Sequence, residues 1–297
     1  ALAVLGLLAG LRWAGRRSLA PARVAETRSP GELGLAFREV RIRTENGKTL
    51  FAWFVPAQRA GRRPAVVAVH GWGGNAETLL PLAPPLHAEG FAVLLIDARC
   101  HGKSDEDNFA SLPRFAEDLG HAIDWLAARA DIDARAIAAV GHSVGAAAVL
   151  LSAARRHDIA AAVSIAAFAH PAAMMRRWLA GKGIPYRPLG WLLLCYVESV
   201  IGHRFDAIAP LHTIRQVDCP TLLLHGAEDS TVPVSEARAI HAVRAGEHVR
   251  LKIVAGSHDD YADLEREMMV PLTQASYEAR GVPRLHQNGV GKMEVVQ

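Results

Sequence analysis

The sequence predicts an α/β fold with a mostly parallel central sheet and helices on both of its faces. Short and nearly continuous apolar runs recur along the chain, which is typical of strands buried on both faces. Segments of helical composition, such as 114–130 and 144–157, separate these runs, and this alternation predicts a doubly wound sheet. The predicted strands lie at 65–71, 91–97, 136–141, 161–168, 221–226 and 249–256.

An antiparallel pair of strands is predicted ahead of the parallel ones. The segments "FREVRIRT" and "TLFAWFVPA" flank "ENGK", in which Asn46-Gly47 is a strong signal for a two-residue hairpin turn. We therefore expect these two segments to pair at one edge of the sheet.

An insertion is predicted at residues 169–218. The strands on either side of it are much further apart in the chain than a simple crossover requires. Its sequence favours two or three short helices. We predict that its apolar residues Met174, Trp178 and Trp191 bind substrate, although apolar residues at helical spacing are also typical of ordinary packing.

The composition disfavours several function classes. The chain has 297 residues, 51% of them hydrophobic and 21% charged, with a net charge of +3. Its basic residues are scattered, so nucleic-acid binding is not expected. Three cysteines without a CxxC pair and 14 histidines without HxxxH or HExxH spacing predict neither a disulfide framework nor a metal site, and no cofactor is expected.

The N-terminal region suggests a membrane anchor. The apolar run "ALAVLGLLAGL" precedes three arginines and is too short, as it stands, to span a bilayer. With further residues upstream it would be a signal anchor that leaves the catalytic domain cytoplasmic; the alternative is a packed N-terminal helix. The predicted organisation is therefore an apolar segment and linker at 1–34, a main domain at 35–280 and a polar tail at 281–297.

The motif "VGHSVG" at residues 140–145 indicates a nucleophile. It places Ser143 between two glycines at the junction of a predicted strand and helix. A strained turn at such a junction exposes the serine Oγ above the sheet. The N–H of Val144, at the start of the helix, would then stabilise an oxyanion.

A serine nucleophile requires a base and an orienting acid, in the chain order serine, acid, histidine. Asp229 follows the strand at 221–226, and His258 follows the last strand. Glu228 is the rival acid, although the loop "DSTVP" favours Asp229. His70, His142 and His225 close strands and are interpreted as structural.

The second oxyanion donor is predicted in the glycine-rich loop "HGWGGN" at residues 70–75. Glycines allow the backbone to approach a ligand closely. The Trp72 N–H is the first candidate and Gly73 the second, and an ordinary glycine-rich turn remains the alternative.

Together with "DARCHGKSD" at 97–105, these motifs resemble the α/β-hydrolase superfamily over residues 36–280. The chain is similar in particular to bacterial serine-aminopeptidase-like and monoacylglycerol-lipase-like hydrolases. The resemblance implies structural roles for Asp97, Arg99 and His101, and it implies that the insertion at 169–218 is a small helical lid. Serine at position 143 also disfavours epoxide hydrolases and dehalogenases, which carry aspartate there.

We therefore expect a cofactor-independent serine hydrolase that cleaves carboxylic esters (EC 3.1.1) of small molecules or lipids through Ser143, Asp229 and His258. An aminopeptidase must bind a protonated amine, and the insertion has six basic residues against three acidic ones. An aminopeptidase or amidase of the same fold and a non-catalytic binding protein remain the alternatives.

Overall fold

The computed structural model describes residues 19–260, 267–269 and 272–274, and the backbone of 285–287 and 293–295. One eight-stranded sheet dominates it, in the order β1-β2-β4-β3-β5-β6-β7-β8. β1 and β2 are antiparallel to their neighbours, and β3 to β8 run parallel. The strands are β1 (Arg38–Arg43), β2 (Thr49–Val55), β3 (Arg63–Val69), β4 (Ala92–Ile96), β5 (Ile132–His142), β6 (Ala161–Ile165), β7 (Thr221–Gly226) and β8 (Val249–Val254).

Eight helices within residues 19–260 accompany this sheet. They are α1 (Ala83–Ala88), α2 (Leu112–Ala127), α3 (Val144–Ala153), α4 (Pro171–Gly181), α5 (Trp191–Ile201), α6 (Phe205–Ile208), α7 (Pro210–Thr213) and α8 (Val234–Ala242). Shorter helical turns lie at Pro30–Leu33, Glu45–Gly47, Ala76–Leu82, Tyr186–Gly190 and Ile214–Gln216. The predicted α/β architecture is confirmed, and every predicted strand is present.

The predicted hairpin is also present. β1 and β2 pair in antiparallel register, with Arg43 opposite Thr49. Asn46 and Gly47 have φ angles of 59° and 66°, the left-handed conformation that a tight hairpin turn requires. The turn closes through the Lys48 N–H, which donates to the Glu45 carbonyl at 3.2 Å. β1 forms one edge of the sheet, as expected.

β2 to β7 are buried on both faces over most of their length, which explains why their sequences do not alternate, whereas β8 at the other edge of the sheet is only partly buried. Val66 and Val67 are both fully buried, yet they belong to two separate hydrophobic clusters on opposite sides of the sheet. Leu150 of α3 packs in the cluster of Val67, and Leu86 of α1 packs in that of Val66. Each fully buried side chain of this kind stabilises the fold by about 1.5–3 kcal/mol.

The insertion at 169–218 is helical, but it contains more segments than the two or three that its sequence suggests. α4, α5, α6 and α7 all lie within it. Glu236 of α8 fastens its beginning, because its Oε2 accepts the Ala169 N–H at 2.6 Å and its Oε1 pairs with Arg177 of α4. Within the insertion, His170 joins α4 to α6 through Asp206 at 2.8 Å.

Residues 19–28 form an extended strap across two loops of the main domain. The Ala110 N–H donates to the Leu19 carbonyl at 3.1 Å, and the side chain of Asn75 donates to the Val24 carbonyl at 3.0 Å. Arg28 pairs with Glu77 at 2.9 Å. The strap therefore reaches from the loop before α2 to the turn that follows β3.

Two predicted regions fall wholly or partly outside the described residues. The apolar run at 1–11, with its proposed anchor role, is one of them. From residue 19 onward, no described helix has both the length and the apolar character needed to cross a membrane. In the C-terminal tail, β9 (Leu285–Gln287) and β10 (Met293–Val295) form a separate antiparallel pair.

The three cysteines differ in exposure. Cys100 and Cys219 are buried, whereas Cys195 of α5 is exposed. Burial raises the pKa of the Cys219 thiol to about 11 and also raises that of Cys100. All three are free thiols.

Candidate active site

Ser143 lies in a strained turn between β5 and α3. Its φ of 54° and ψ of −113° fall in a region that non-glycine residues rarely adopt. A Cβ on Gly141 would overlap the Gly145 carbonyl, and a Cβ on Gly145 would overlap the carbonyls of Val69 and His70. Both glycines are therefore required by close packing, for the reason that the motif suggests.

Ser143, His258 and Asp229 form one chain of hydrogen-bond contacts. His258 Nε2 lies 3.1 Å from Ser143 Oγ, and His258 Nδ1 lies 2.7 Å from Asp229 Oδ2. A carboxylate can only accept, so Nδ1 carries the hydrogen and Nε2 is free to accept from the serine hydroxyl. The fold thus brings together three residues that are up to 115 positions apart in the sequence.

The Asp229 loop holds this carboxylate in place. Asp229 Oδ1 accepts the backbone N–H groups of Thr231 and Val232 at 2.9 and 2.7 Å, while Oδ2 faces His258. The side chain is fully buried. His225 donates from Nε2 to the Val232 carbonyl at 2.7 Å and so supports the same loop.

Glu228, the rival acid, has a different contact. Its Oε2 accepts the Gly256 N–H at 2.5 Å, and its own N–H donates to the Gly256 carbonyl at 3.0 Å. Glu228 thereby joins the acid loop to the loop that carries His258. The geometry favours Asp229 as the orienting carboxylate and gives Glu228 a bracing position.

The glycine-rich loop after β3 packs against the serine turn. A Cβ on Gly71 would lie 3.1 Å from Ser143 Cβ, so Trp72 follows a residue that is in close contact with the turn. Val144 is the first residue of α3, where backbone N–H groups have no partner within the helix. Of the two predicted oxyanion donors, Val144 therefore follows Ser143 in the chain, and Trp72 follows Gly71, which contacts Ser143.

Two buried histidines support the glycine-rich loop. His70 accepts the Ala98 N–H on Nε2 at 3.1 Å, and its ring lies 4.9 Å from that of His101. Burial lowers the pKa of His70 to about 3 and that of His101 to about 4, so both rings are neutral near pH 7. The ring of His101 also meets that of Trp72 edge-on at 5.9 Å.

The "DARCHG" segment has the contacts of a structural brace. Asp97 Oδ1 accepts the Ala76 N–H at 2.7 Å, and Oδ2 accepts the Lys103 N–H at 2.7 Å. Arg99 forms a buried ion pair with Asp118 of α2 at 2.7 Å. These contacts agree with the structural interpretation of Asp97, Arg99 and His101.

The three residues predicted to bind substrate have different environments. Met174 is partly buried against the main core, and its Sδ contacts Arg177 at 3.4 Å. Trp178 and Trp191 are 56% and 51% exposed. A Cβ on Gly190 would lie 3.2 Å from Leu179 Cδ1, so the residue before α5 is in close contact with α4. Their role in binding remains a prediction.

His142 has a contact that the sequence interpretation missed. Its Nε2 lies 2.8 Å from the backbone carbonyl oxygen of His258, and the two imidazole rings are 4.9 Å apart. The available signal was its position directly before Ser143. Glu236, which fastens the insertion, was also missed, and nothing in its local sequence indicates that contact.

His142, His258 and Asp259 form a group with metal-ligating side chains. Their ligand atoms lie within 4.8 Å of one another. However, both ring nitrogens of His258 already face protein groups, and His142 Nε2 faces a carbonyl. A metal ion would have to replace these contacts, so the donor set does not favour one.

A mostly parallel eight-stranded sheet with a serine turn after β5, an acid loop after β7 and a histidine after β8 is the arrangement of α/β hydrolases. The profile of the family described as "Serine aminopeptidase, S33" matches residues 60–194. The uncharacterized protein Rv2307c of Mycobacterium tuberculosis is 31% identical over 243 residues, which cover 79% of this chain and 77% of that protein. The chain therefore belongs to the α/β-hydrolase superfamily.

Solved structures agree with the fold. The esterase Pf2001 of Pyrococcus furiosus matches 88% of this chain and 97% of its own with a TM-score of 0.65 and 22% identity. Est1E of Butyrivibrio proteoclasticus, solved with ferulic acid bound, matches 82% of this chain and 99% of its own with a TM-score of 0.63 and 21% identity. At these identities the likeness concerns the fold.

Proposed function

We propose that this protein is a serine esterase that hydrolyses carboxylic esters through an acyl-enzyme on Ser143. The observation that carries the proposal is the continuous contact from Ser143 Oγ through His258 to the buried carboxylate of Asp229. A hydroxyl, an imidazole and a carboxylate in this order are the groups that acyl transfer requires.

In the first half-reaction, His258 Nε2 takes the proton of Ser143 Oγ while the oxygen attacks the ester carbonyl carbon. Asp229 stabilises the imidazolium that forms. The carbonyl oxygen becomes an oxyanion, which would accept hydrogen bonds from the Trp72 and Val144 N–H groups. The intermediate then collapses, the C–O bond to the alcohol breaks, and His258 gives its proton to the leaving oxygen.

The second half-reaction repeats these steps with water. His258 Nε2 takes a proton from a water molecule, whose oxygen attacks the acyl carbon of the serine ester. When this intermediate collapses, the proton returns to Ser143 Oγ and the carboxylic acid leaves. The cycle needs no group beyond the protein and water.

The ion pairs of the insertion favour esters over aminoacyl substrates. Its three acidic residues already have basic partners: Glu198 pairs with Arg204 at 2.9 Å, Asp206 with His170 at 2.8 Å, and Asp218 with His157 at 2.7 Å. An aminopeptidase needs a carboxylate that is available to the protonated amine of its substrate.

The apolar surface of the insertion suits an acyl chain. Trp178, Leu189, Trp191 and Leu192 are each more than half exposed. Exposed apolar groups of this size are typical of a binding surface. We infer that the insertion is a lid and that Trp178, Trp191 and Met174 contact the apolar part of a small-molecule or lipid ester.

An aminopeptidase is the second candidate, because the matching family profile carries that description. The two functions are separated by assaying p-nitrophenyl esters of graded chain length beside aminoacyl p-nitroanilides on one preparation. We expect ester turnover with little anilide cleavage. The reverse preference would overturn the esterase and favour the peptidase.

Ser143→Ala tests the nucleophile in the same assay. We expect ester turnover to fall by at least about 10⁴-fold and labelling by a fluorophosphonate probe to disappear, because no other group supplies the attacking oxygen. Ser257→Ala is the matched control, since Ser257 lies beside His258 and should keep full labelling. Labelling that persists in Ser143→Ala would contradict the proposal.

A further inference from the structure

Side chains contact the backbone of the loop that carries His258 on two sides. On one side, the Gly256 backbone exchanges hydrogen bonds with Glu228, at 2.5 and 3.0 Å. On the other side, the carbonyl oxygen of His258 itself faces Nε2 of His142 at 2.8 Å. The second attachment comes from the residue that is covalently joined to the nucleophile.

The direction of the His142 contact follows from its chemistry. A backbone carbonyl can only accept, so His142 Nε2 must carry the hydrogen and donate it. His142 is buried, and burial lowers its pKa, an effect that the neighbouring ring of His258 increases and the bond to its carbonyl opposes. The ring is therefore neutral near pH 7 and adds no positive charge beside the base.

We propose that His142 is a positioning residue that holds His258 in register with Ser143 by donating a hydrogen bond to the His258 carbonyl. The inference rests on the proposed function and adds a residue to its machinery.

The geometry explains why the contacts of the ring are not enough. The contacts of the His258 ring with Ser143 and Asp229 hold the side chain but leave the His258 backbone free to move about it. The bond from His142 adds a second fixed point, so that the serine turn and the histidine loop are joined through both the side chain and the backbone of His258. If the base is displaced from the nucleophile by a fraction of an ångström, turnover falls much more than the affinity for substrate does.

Two substitutions separate the hydrogen bond from the volume of the ring. His142→Phe keeps an aromatic ring beside His258 but removes the donor, whereas His142→Gln retains an N–H at a similar distance from the backbone. We expect His142→Phe to lower kcat for p-nitrophenyl acetate by about 30-fold with KM within about twofold. We expect His142→Gln to retain kcat within about threefold of wild type.

Asp259→Asn is the matched control for charge. Asp259 Oδ1 lies 3.8 Å from the same nitrogen of His142, and its side chain is 80% exposed. An ion pair this exposed contributes little, so we expect Asp259→Asn to retain kcat within about twofold. A loss in Asp259→Asn equal to that in His142→Phe would overturn the proposal, because the carboxylate and not the donor would then matter.

The fluorophosphonate labelling rate gives a second kinetic measure, because it depends on the Ser143–His258 pair and not on substrate binding. It should follow kcat across the variants. If His142→Phe kept the kcat and the labelling rate of the wild-type protein, the positioning role would be overturned while the esterase assignment would stand. A Gln variant as slow as Phe would overturn it too. Wild-type protein that neither labels nor cleaves esters would overturn the proposed function, and the inference with it.

Nitrogen-15 NMR of the wild-type imidazoles needs no substitution and covers the case in which His142→Phe fails to fold. We expect the His142 ring in the tautomer that carries hydrogen on Nε2, with that hydrogen protected from exchange. A ring with hydrogen on Nδ1 alone would overturn the proposal, because it could not donate to the carbonyl.

Discussion

Ser143 lies at the edge formed by the carboxyl ends of the parallel strands. This edge and the insertion are attached to the core in different ways. At the edge, neighbouring loops touch through backbone atoms: a Cβ on Gly226 would overlap the Gly256 carbonyl, as one on Gly145 would overlap that of Val69. The insertion is instead fastened by side chains, chiefly Glu236 to Ala169 and Arg177. Main-chain packing leaves no room for variation, whereas side-chain attachments allow an element to shift.

This difference separates chemistry from selectivity. The residues that would form and break bonds lie where glycines and backbone hydrogen bonds define the geometry. The residues that would select an acyl group, Trp178 and Trp191, are exposed on helices of the insertion. Substitutions at the edge should therefore change turnover, and substitutions in the insertion should change substrate preference.

The largest effect is expected at the acid. Asp229→Asn should keep the two backbone hydrogen bonds to Oδ1 but remove the charge that stabilises imidazolium, and a related triad loses about 10⁴-fold in turnover after such a change. Steady-state kinetics on one p-nitrophenyl ester measures it.

Glu228→Gln is the control for the acid, because glutamine can still accept the Gly256 N–H. It should retain turnover within about threefold, the scale of one weakened surface hydrogen bond. If Glu228→Gln caused the large loss and Asp229→Asn the small one, Glu228 would be the orienting carboxylate. Equal mild losses in both variants would place the acid elsewhere.

A smaller effect is expected in the insertion. Trp191→Ala should lower kcat/KM for long-chain p-nitrophenyl esters by about tenfold, because one large apolar contact with the acyl chain is lost. The acetate ester should be turned over within about twofold of wild type. Leu33→Ala, which changes an apolar side chain of similar exposure outside the insertion, is the control. An equal loss at every chain length would argue against acyl binding by Trp191.

The smallest effect concerns stability and pH. Burial raises the pKa of Asp97 well above its usual range, and the neighbouring carboxylate of Glu26 raises it further. A raised acid pKa in the folded state stabilises the fold below the unfolded pKa, and this stability is lost as the pH rises through the folded value. Above about pH 7, where His70 and His101 are neutral in both the folded and the unfolded state, the melting temperature should therefore fall up to about pH 9.

Glu26→Gln should reduce that fall by a few degrees, because it removes one of two facing carboxylates. Lys103 Nζ, 3.4 Å from Glu26 Oε2, is the charged group that opposes this effect, and it is 42% exposed. Glu39→Gln removes a charge near the same lysine without facing Asp97 and should leave the fall unchanged. If the melting temperature fell equally with pH in Glu26→Gln and Glu39→Gln, the proposed role of the Glu26–Asp97 pair would be refuted.

The sheet and the serine turn could be predicted because their signals are local. Continuous apolar runs indicate buried strands, and glycines at 141 and 145 are required by contacts within a few residues or with one neighbouring strand. Asp229 and His258 could be predicted because parallel strands bring their carboxyl ends to one edge.

The missed features depend on contacts between distant segments. Glu26 faces Asp97 only because the strap crosses the loop after β4, and Glu236 meets Arg177 only after α4 has docked. The number of helices in the insertion was underestimated because α6 and α7 have four residues each, too few for an apolar period to be recognised.

Cys195 gives this protein a natural attachment point for a spectroscopic label. It is exposed on α5, within the insertion, while the other two thiols are buried and one has a pKa raised to about 11. A maleimide dye or nitroxide at neutral pH should therefore react at a single position without engineering. Fluorescence or electron spin resonance of that label would follow any movement of the insertion relative to the sheet when an acyl ligand is added.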